Sequence, residues 1–325
     1  MTSIEWTDET WNPVTGCSHV SDGCKNCYAE GIAKRFSGRN GFPVFEPWTA
    51  RNAAHNVVLH PDRLDAPLHW RKPRRVFVNS MSDLFHELVP EEFIDRVFAV
   101  MALTPQHTYQ VLSKRPERMR AYFAGDREAA VSDVLYASKW PMKPEVFIAA
   151  GRDRVQGGWP LPNVWLGVSA EDQRTADERI PVLLDTPAAI RFVSAEPLLG
   201  PIDLERYPSL DWVIAGGESG HGARPCNTAW IQSIIEQCRA AGTAVFVKQL
   251  GSAPAYPLGN INACLAEGRP LGWRFQAPDG STFRREANGG RVGHYVGLHD
   301  RKGGDPAEWP DDLRVREWPT EGVKA

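Results

Sequence analysis

Three cysteines, Cys17, Cys24 and Cys27, fall within eleven residues and make up half of the six in the chain. They stand in the stretch Cys17-Ser-His-Val-Ser-Asp-Gly-Cys24-Lys-Asn-Cys27-Tyr28, a loop that opens into a helix-like run from Tyr28 to Phe36. Thiols this close, in a chain whose first residues lack a basic-then-apolar secretion pattern, read as ligands for a soft metal or an iron-sulfur cluster rather than as a disulfide framework. The number of ligands is informative. A structural zinc site takes four protein ligands, whereas a 4Fe-4S cluster held by three leaves one iron open to another molecule. Zinc completed by a histidine such as His19 or His221 is one competing reading, and thiols that bind nothing is another.

The loop needs a scaffold, and the chain supplies one by alternation. Glu5 to Gly16 reads as a short strand running into a turn just before Cys17, and Arg75–Asn79 (Arg-Val-Phe-Val-Asn) as a buried strand. Further strands are expected at Tyr109–Leu112, Val164–Val168, Ile190–Val193, Trp212–Ala215 and Ala244–Val247. Apolar residues at helical spacing predict helices over Pro61–Arg71, Glu91–Leu103, Pro116–Phe123, Thr175–Leu184 and Thr228–Ala241. Strands alternating with helices imply parallel βαβ units, here with about seven strands counting the first, which suits an α/β fold built as a complete or partial β/α barrel. Residues 1–250 form the expected barrel, interrupted by a less regular insertion at about 125–162. Beyond Gly251 the chain turns to glycine, proline and charge, and reads as a loop-rich C-terminal cap over 251–325.

In β/α barrels the chemistry sits at the carboxyl ends of the strands and on the loops that follow. Polar residues gather there in this chain: Asn79-Ser80-Met81-Ser82-Asp83, Ser113-Lys114-Arg115, Ser169-Ala-Glu171-Asp172, Ser194-Ala-Glu196-Pro197, Gly216-Gly217-Glu218-Ser219-Gly220 and Lys248-Gln249. The serine and aspartate tips could equally cap the helices that follow them. The glycine-rich turn could hold a phosphate or carboxylate on its N–H groups, or be a plain turn.

With 325 residues, 42% hydrophobic and 24% charged, the composition is that of an ordinary globular protein. No apolar run approaches the roughly 20 residues needed to span a bilayer, so no membrane partner and a cytoplasmic, reducing setting are expected. A net charge of −3 gives no overall pull toward nucleic acid. Local basic runs, Arg71-Lys72-Pro73-Arg74-Arg75 and Lys114 to Arg120, could track phosphates or be solvated faces. Twelve tryptophans could stack on bases, and the ordinary use of most is packing.

A cysteine triad on the loop after the first strand of such a barrel resembles the radical S-adenosylmethionine (SAM) superfamily, whose usual spacing is C-x3-C-x2-C. Here it is C-x6-C-x2-C, so the first gap departs from that pattern. From Trp11-Asn-Pro-Val-Thr-Gly-Cys17 to Lys302-Gly-Gly-Asp-Pro-Ala-Glu-Trp-Pro310, the chain is more closely similar to a family of phage and mobile-element proteins of undefined function with a three-cysteine motif. Ser82-Asp83-Leu84-Phe85 and Leu112-Ser113-Lys114-Arg115 are also similar to motifs in relatives of spore photoproduct lyase, which act on thymine in DNA.

The resemblance implies an enzyme in which Cys17, Cys24 and Cys27 hold a 4Fe-4S cluster, SAM yields a 5'-deoxyadenosyl radical, and that radical takes hydrogen from a substrate. It implies contacts to SAM from Ser80, Ser82 and Asp83 for the amino group, from Lys114 beside Ser113 for the carboxylate, from Ser169 and Glu171 for the ribose, and from Tyr28 for the adenine. Glu196, Gly216, Gly217 and Glu218 complete the cofactor-binding set. Its implied partners are a one-electron reductant of flavodoxin or ferredoxin type and a DNA or nucleotide substrate, with thymine or another nucleobase as target. Its implied location is the cytoplasm, that of the bacterial host if the protein is phage-encoded. A zinc or iron-sulfur protein that binds nucleic acid without catalysis, and a radical enzyme acting on a peptide or small metabolite, are the alternatives. Cys226, Cys238 and Cys264 read as buried small hydrophobes, with Cys226 also a candidate hydrogen donor to a substrate radical. His294, His299 and Asp300 resemble a metal set but lie in a polar tail that reads as solvated loop.

Overall fold

The structure is a computed structural model that describes residues 4–138, 158–256, 294–295 and 298–319. Cys264, residues 139–157 of the insertion and much of the C-terminal segment therefore lie outside the described residues. The fold is mixed α/β, with a curled, parallel seven-stranded half-barrel sheet. Its strands are β1 (Glu9–Trp11), β2 (Arg75–Val78), β3 (Thr108–Ser113), β4 (Val164–Ser169), β5 (Ile190–Ala195), β6 (Trp212–Gly216) and β7 (Ala244–Gln249), and they neighbour one another in chain order. Helices α1 (Tyr28–Arg35), α2 (Glu91–Leu103), α3 (Pro116–Ala124), α4 (Arg127–Ala137), α5 (Gln173–Leu184) and α6 (Thr228–Ala241) occupy the connections. The order is open, with β1 and β7 at its two ends, so of the two expectations the partial barrel is the one met.

The strands form where apolar residues run without a break, as parallel strands buried on both faces require. Val76, Val78, Tyr109, Val111, Val164, Leu166 and Val168 are all buried. The register joins Trp11 to Val78, Val78 to Val111, and Val111 to Leu166. Gly167 has a packing role in the middle of β4: a Cβ there would come within 2.5 Å of the Phe192 ring. Contacts divide the chain into two compact units, Met1–Ser169 with Arg179–Phe192, and Ala170–Glu178 with Val193–Ala325.

Two local expectations change. Pro61–Arg71 is not one helix but two 3-10 turns, Pro61–Arg63 and Ala66–His69. Pro67 is the reason, because its ring has no N–H to donate and would clash with the carbonyl one helical turn back. Leu64 still buries its side chain, so the apolar spacing reported burial correctly and backbone geometry wrongly. Conversely, the insertion read as irregular begins with α4, whose N-cap Asp126 accepts from the Ala129 amide at 3.2 Å. Arg127 at its start reaches Glu91 of α2 at 2.9 Å, and Trp159 from the far end of the insertion packs on Phe98 and Phe123.

In the second unit, the described C-terminal residues cover a sheet edge. Val247 donates to the carbonyl of Val315 at 2.8 Å and Glu317 to that of Val245 at 2.9 Å, so residues 315–317 lie antiparallel along the outer side of β7. Trp309 is buried beneath this segment with its indole N–H on the Gly303 carbonyl.

Gly16 fixes where the cysteine loop leaves the scaffold. Its φ is +83°, and a Cβ on it would stand 1.8 Å from the backbone oxygen of Asn56. Gly16→Ala is expected to destabilise the chain by about 2 kcal/mol or more, since both backbone strain and overpacking act against it. A urea denaturation midpoint unchanged from wild type would count against this placement.

Candidate functional site

The loop that leaves β1 is tied to the loop that leaves β2. The amide of Gly16 donates to the Met81 carbonyl at 2.9 Å, and Ser82 Oγ donates to the Val14 carbonyl at 2.9 Å. Asn12 Oδ1 accepts from the Met81 amide at 3.0 Å and pairs with Ser80 Oγ at 3.2 Å. Asn79 makes the turn possible. It adopts a φ of +59°, which asparagine tolerates better than most residues, and its own amide closes on the Trp11 carbonyl at 2.8 Å. The hydroxyls expected to face SAM at Ser80 and Ser82 thus have protein partners.

Asp83 is the centre of the arrangement. Its carboxylate accepts from four donors: the Phe85 amide at 3.0 Å and Ser113 Oγ at 2.9 Å on one oxygen, the Lys114 amide at 2.9 Å and Arg115 at 3.2 Å on the other. Ser113 Oγ in turn accepts from the Arg115 amide at 2.9 Å. The tip of β3 is therefore held by the loop that follows β2. Pro116 directly after Arg115 starts α3 at a position where a missing N–H costs nothing.

Arg115 carries the contact onward to the first cysteine. Its side chain is 5% exposed, as buried as the aspartate it pairs with. Nη1 reaches Cys17 Sγ at 3.5 Å, Nη2 reaches the Ser18 carbonyl at 3.1 Å and Ser18 Oγ at 3.0 Å, and Nε reaches Glu87 at 3.0 Å. Ser18 Oγ also meets His86 Nε2 at 2.9 Å. Because the Leu88 amide donates to His86 Nδ1 at 3.1 Å, the ring proton belongs on Nε2, which donates to Ser18. Burial, reinforced by the neighbouring Arg115 charge, lowers the His86 pKa and keeps the ring neutral.

The three candidate ligands are free thiols of intermediate exposure, and Cys17 and Cys27 pack on Ala29, Ala33, Trp48 and Met81. Burial, and after it the Asp83 charge, pushes the Cys17 thiol up to about 12 against the pull of Arg115. Burial raises Cys27 as well, while the amides of Glu30 and Ala29 at the start of α1 favour its thiolate. Cys24 interacts electrostatically with both. In donor chemistry the set fits a soft metal or a cluster, because each sulfur is free of disulfide and a thiolate at Cys17 needs cations beside it. Among the described residues, no three His, Cys, Asp or Glu side chains stand together as a ready ligand shell. His19, one of the two histidines considered to complete a zinc site, is paired with Glu30 at 2.8 Å.

Tyr28 follows the last cysteine with 54% of its surface exposed and its hydroxyl on the Ser80 carbonyl at 2.5 Å. Ser169 is buried at the end of β4, its carbonyl accepting from Arg179 at 2.8 Å. In the second unit Glu171 is buried, with its amide on Thr175 Oγ1 and its carbonyl accepting from Leu199. Asp172 caps α5 through the Thr175 amide at 2.8 Å, which is the capping role weighed for these tips.

Glu196 pairs with Lys248 at 3.1 Å, beside Gly216, where a Cβ would come within 2.8 Å of the Glu196 carboxylate. The amide of Gly217 donates to the Gln249 carbonyl, and a Cβ on Gly217 would meet Leu250 O at 2.3 Å. Close packing of backbones therefore requires glycine at Gly217. Glu218 is clamped by Arg224, with Nη2 at 2.6 Å. Cys226 is buried, and burial pushes its thiol up to about 12.

The basic runs are largely turned to other partners. Arg74 pairs with Glu9 at 2.6 Å and Arg75 with Asp8 at 3.0 Å, while Arg118 donates to the Val89 carbonyl at 2.6 Å. The residues missed by sequence reading are Asn12, Ser18, His86 and Glu87; it names Arg115 among the strand-end polar residues and in a basic run, but gives it no role at the cysteines. A signal for Arg115 existed in its place between a strand-end serine and the first proline of a helix.

Removing Asp83 leaves Arg115 buried without its buried partner, so Asp83→Ala is expected to cost about 3–5 kcal/mol, measured by urea unfolding. Stability is also expected to fall as pH drops from about 7 toward 5. Burial lowers His60, His86 and His107 from the ordinary value of 6.5, so the unfolded chain takes up protons there that the folded chain refuses. An unfolding midpoint that rises between pH 7.5 and 5.5 would contradict this.

No curated protein and no solved structure matches the chain. A family model described as "Protein of unknown function (DUF5131)" matches residues 1–288, and the chain belongs to that family.

Proposed function

We propose that this protein is a radical SAM enzyme. The observation that carries the reading is the place of the three-cysteine loop: it leaves the first strand of a parallel half-barrel sheet and is tied to the loops that leave the second and third. Cys17, Cys24 and Cys27 would hold a 4Fe-4S cluster which, with SAM and one electron from a flavodoxin- or ferredoxin-type partner, supplies a 5'-deoxyadenosyl radical for hydrogen abstraction.

The chain's own groups divide the remaining work. Tyr28 offers an exposed ring of fixed direction for the adenine, since its hydroxyl is held by Ser80. Lys114 offers a cation for the methionine carboxylate, on a backbone held by Asp83. Asp83 acts through position: its carboxylate has four donors and orders both strand-end loops.

For the substrate, the reading is a nucleobase, with modification, rearrangement or repair as the outcome. Pairing of Arg74, Arg75 and Arg115 with acidic neighbours supports a free nucleotide over a phosphate track along DNA. The same observation favours a second reading, a peptide or small metabolite as target. No described helix is long and apolar enough to cross a membrane.

The test is anaerobic reconstitution of the full chain, with iron, sulfide and zinc quantified before SAM and dithionite are added. About four irons per chain and 5'-deoxyadenosine that disappears in Cys27→Ala is the expected result. Stoichiometric zinc without iron or SAM cleavage overturns the reading and leaves the non-catalytic nucleic-acid-binding alternative. Retention on DNA at low salt would move the substrate from nucleotide to polymer.

A further inference from the structure

All the N–H groups of the Arg115 side chain are engaged within the protein. Nε bonds to Glu87, Nη1 to Cys17 Sγ and Asp83, and Nη2 to the Ser18 carbonyl and Ser18 Oγ. A guanidinium has five N–H bonds in a planar fork, and five directions are filled here. No donor remains for a substrate or for the carboxylate of SAM. A buried arginine so occupied, with one hydrogen on the sulfur of a candidate ligand, is placed to act on that ligand.

We infer that Arg115 is the positioning residue of the Cys17 corner, and that its charge and N–H donation make a cluster held there easier to reduce. This rests on the cluster reading above. Donation to a ligand sulfur and a nearby positive charge both favour the reduced, more negative state, and both act most strongly where water is excluded. The two carboxylates around Arg115 differ. Asp83 is buried and has four donors, so its charge is spread over several partners. Glu87 is 64% exposed, and neutralises Arg115 from the solvent side. Lysine in place of Arg115 would keep the charge without the fork, and could not reach Asp83, Ser18 and Cys17 together.

The experiment compares the reconstituted full-length wild type with Arg115→Gln, Arg115→Lys and Glu87→Gln. Iron and sulfide content are measured, and the midpoint potential is followed by electron paramagnetic resonance during titration with dithionite and mediators. Arg115→Gln is expected to lose iron and to shift the potential to more negative values, with Arg115→Lys between it and wild type. Glu87→Gln leaves the arginine charge less neutralised, so it is expected to keep its iron and shift the potential the other way. An Arg115→Gln protein that loads iron fully with an unchanged potential overturns the inference. If Arg115→Gln does not fold, Glu87→Gln decides alone, and no positive shift overturns it. A wild-type chain that takes up no iron overturns the cluster reading first, and this inference with it.

Discussion

The ion pair between Asp83 and Arg115 is the constraint on which the cysteine loop depends. Each charge is buried, and neither would be tolerated without the other, because an unpaired ion in such a place loses far more in hydration than the fold can return. The pair is also not isolated. Asp83 collects donors from its own loop and from the end of β3, and Arg115 distributes its donors to Cys17, Ser18 and Glu87. Three strand-end loops, distant in sequence, are thereby held in one register.

This explains why the loop that carries the thiols does not need regular secondary structure. The Asp22–Cys24 segment is a single 3-10 turn. Order comes from outside. Met81 accepts from Gly16, Ser18 is fixed by His86 and Arg115, and α1 begins at the last cysteine with Ala29 and Ala33 packed against Trp48 and Met81.

Much of the scaffold was legible in the sequence, and the reason is local. Val-Phe-Val at 76–78 and Val-Trp-Leu-Gly-Val at 164–168 are short apolar runs, which state their burial without reference to the rest of the chain. The parallel succession of strands and the position of the cysteines after β1 follow from the alternation, which left open whether the sheet closes. The site was less legible because its links are not local. Arg115 and Ser18 are 97 residues apart, and nothing at either position announces the other. Charge runs misled for the same reason: Arg74 and Arg75 look free in sequence, yet Asp8 and Glu9 lie against them through the pairing of β1 with β2. Pro67 misled in the opposite sense, since its neighbours keep helical spacing while its ring interrupts the helix.

The strip at 315–317 along β7 has a meaning beyond covering the core. A parallel sheet that does not close leaves two lines of backbone N–H and C=O groups, each a template for another chain's strand. Here one of those lines is already occupied by a segment from the same molecule. The matched family segment ends at residue 288, before that strip begins. A fragment cut to the family boundary would therefore keep every strand of the sheet and lose the guard on this edge, leaving the backbone of β7 open to a strand of another chain.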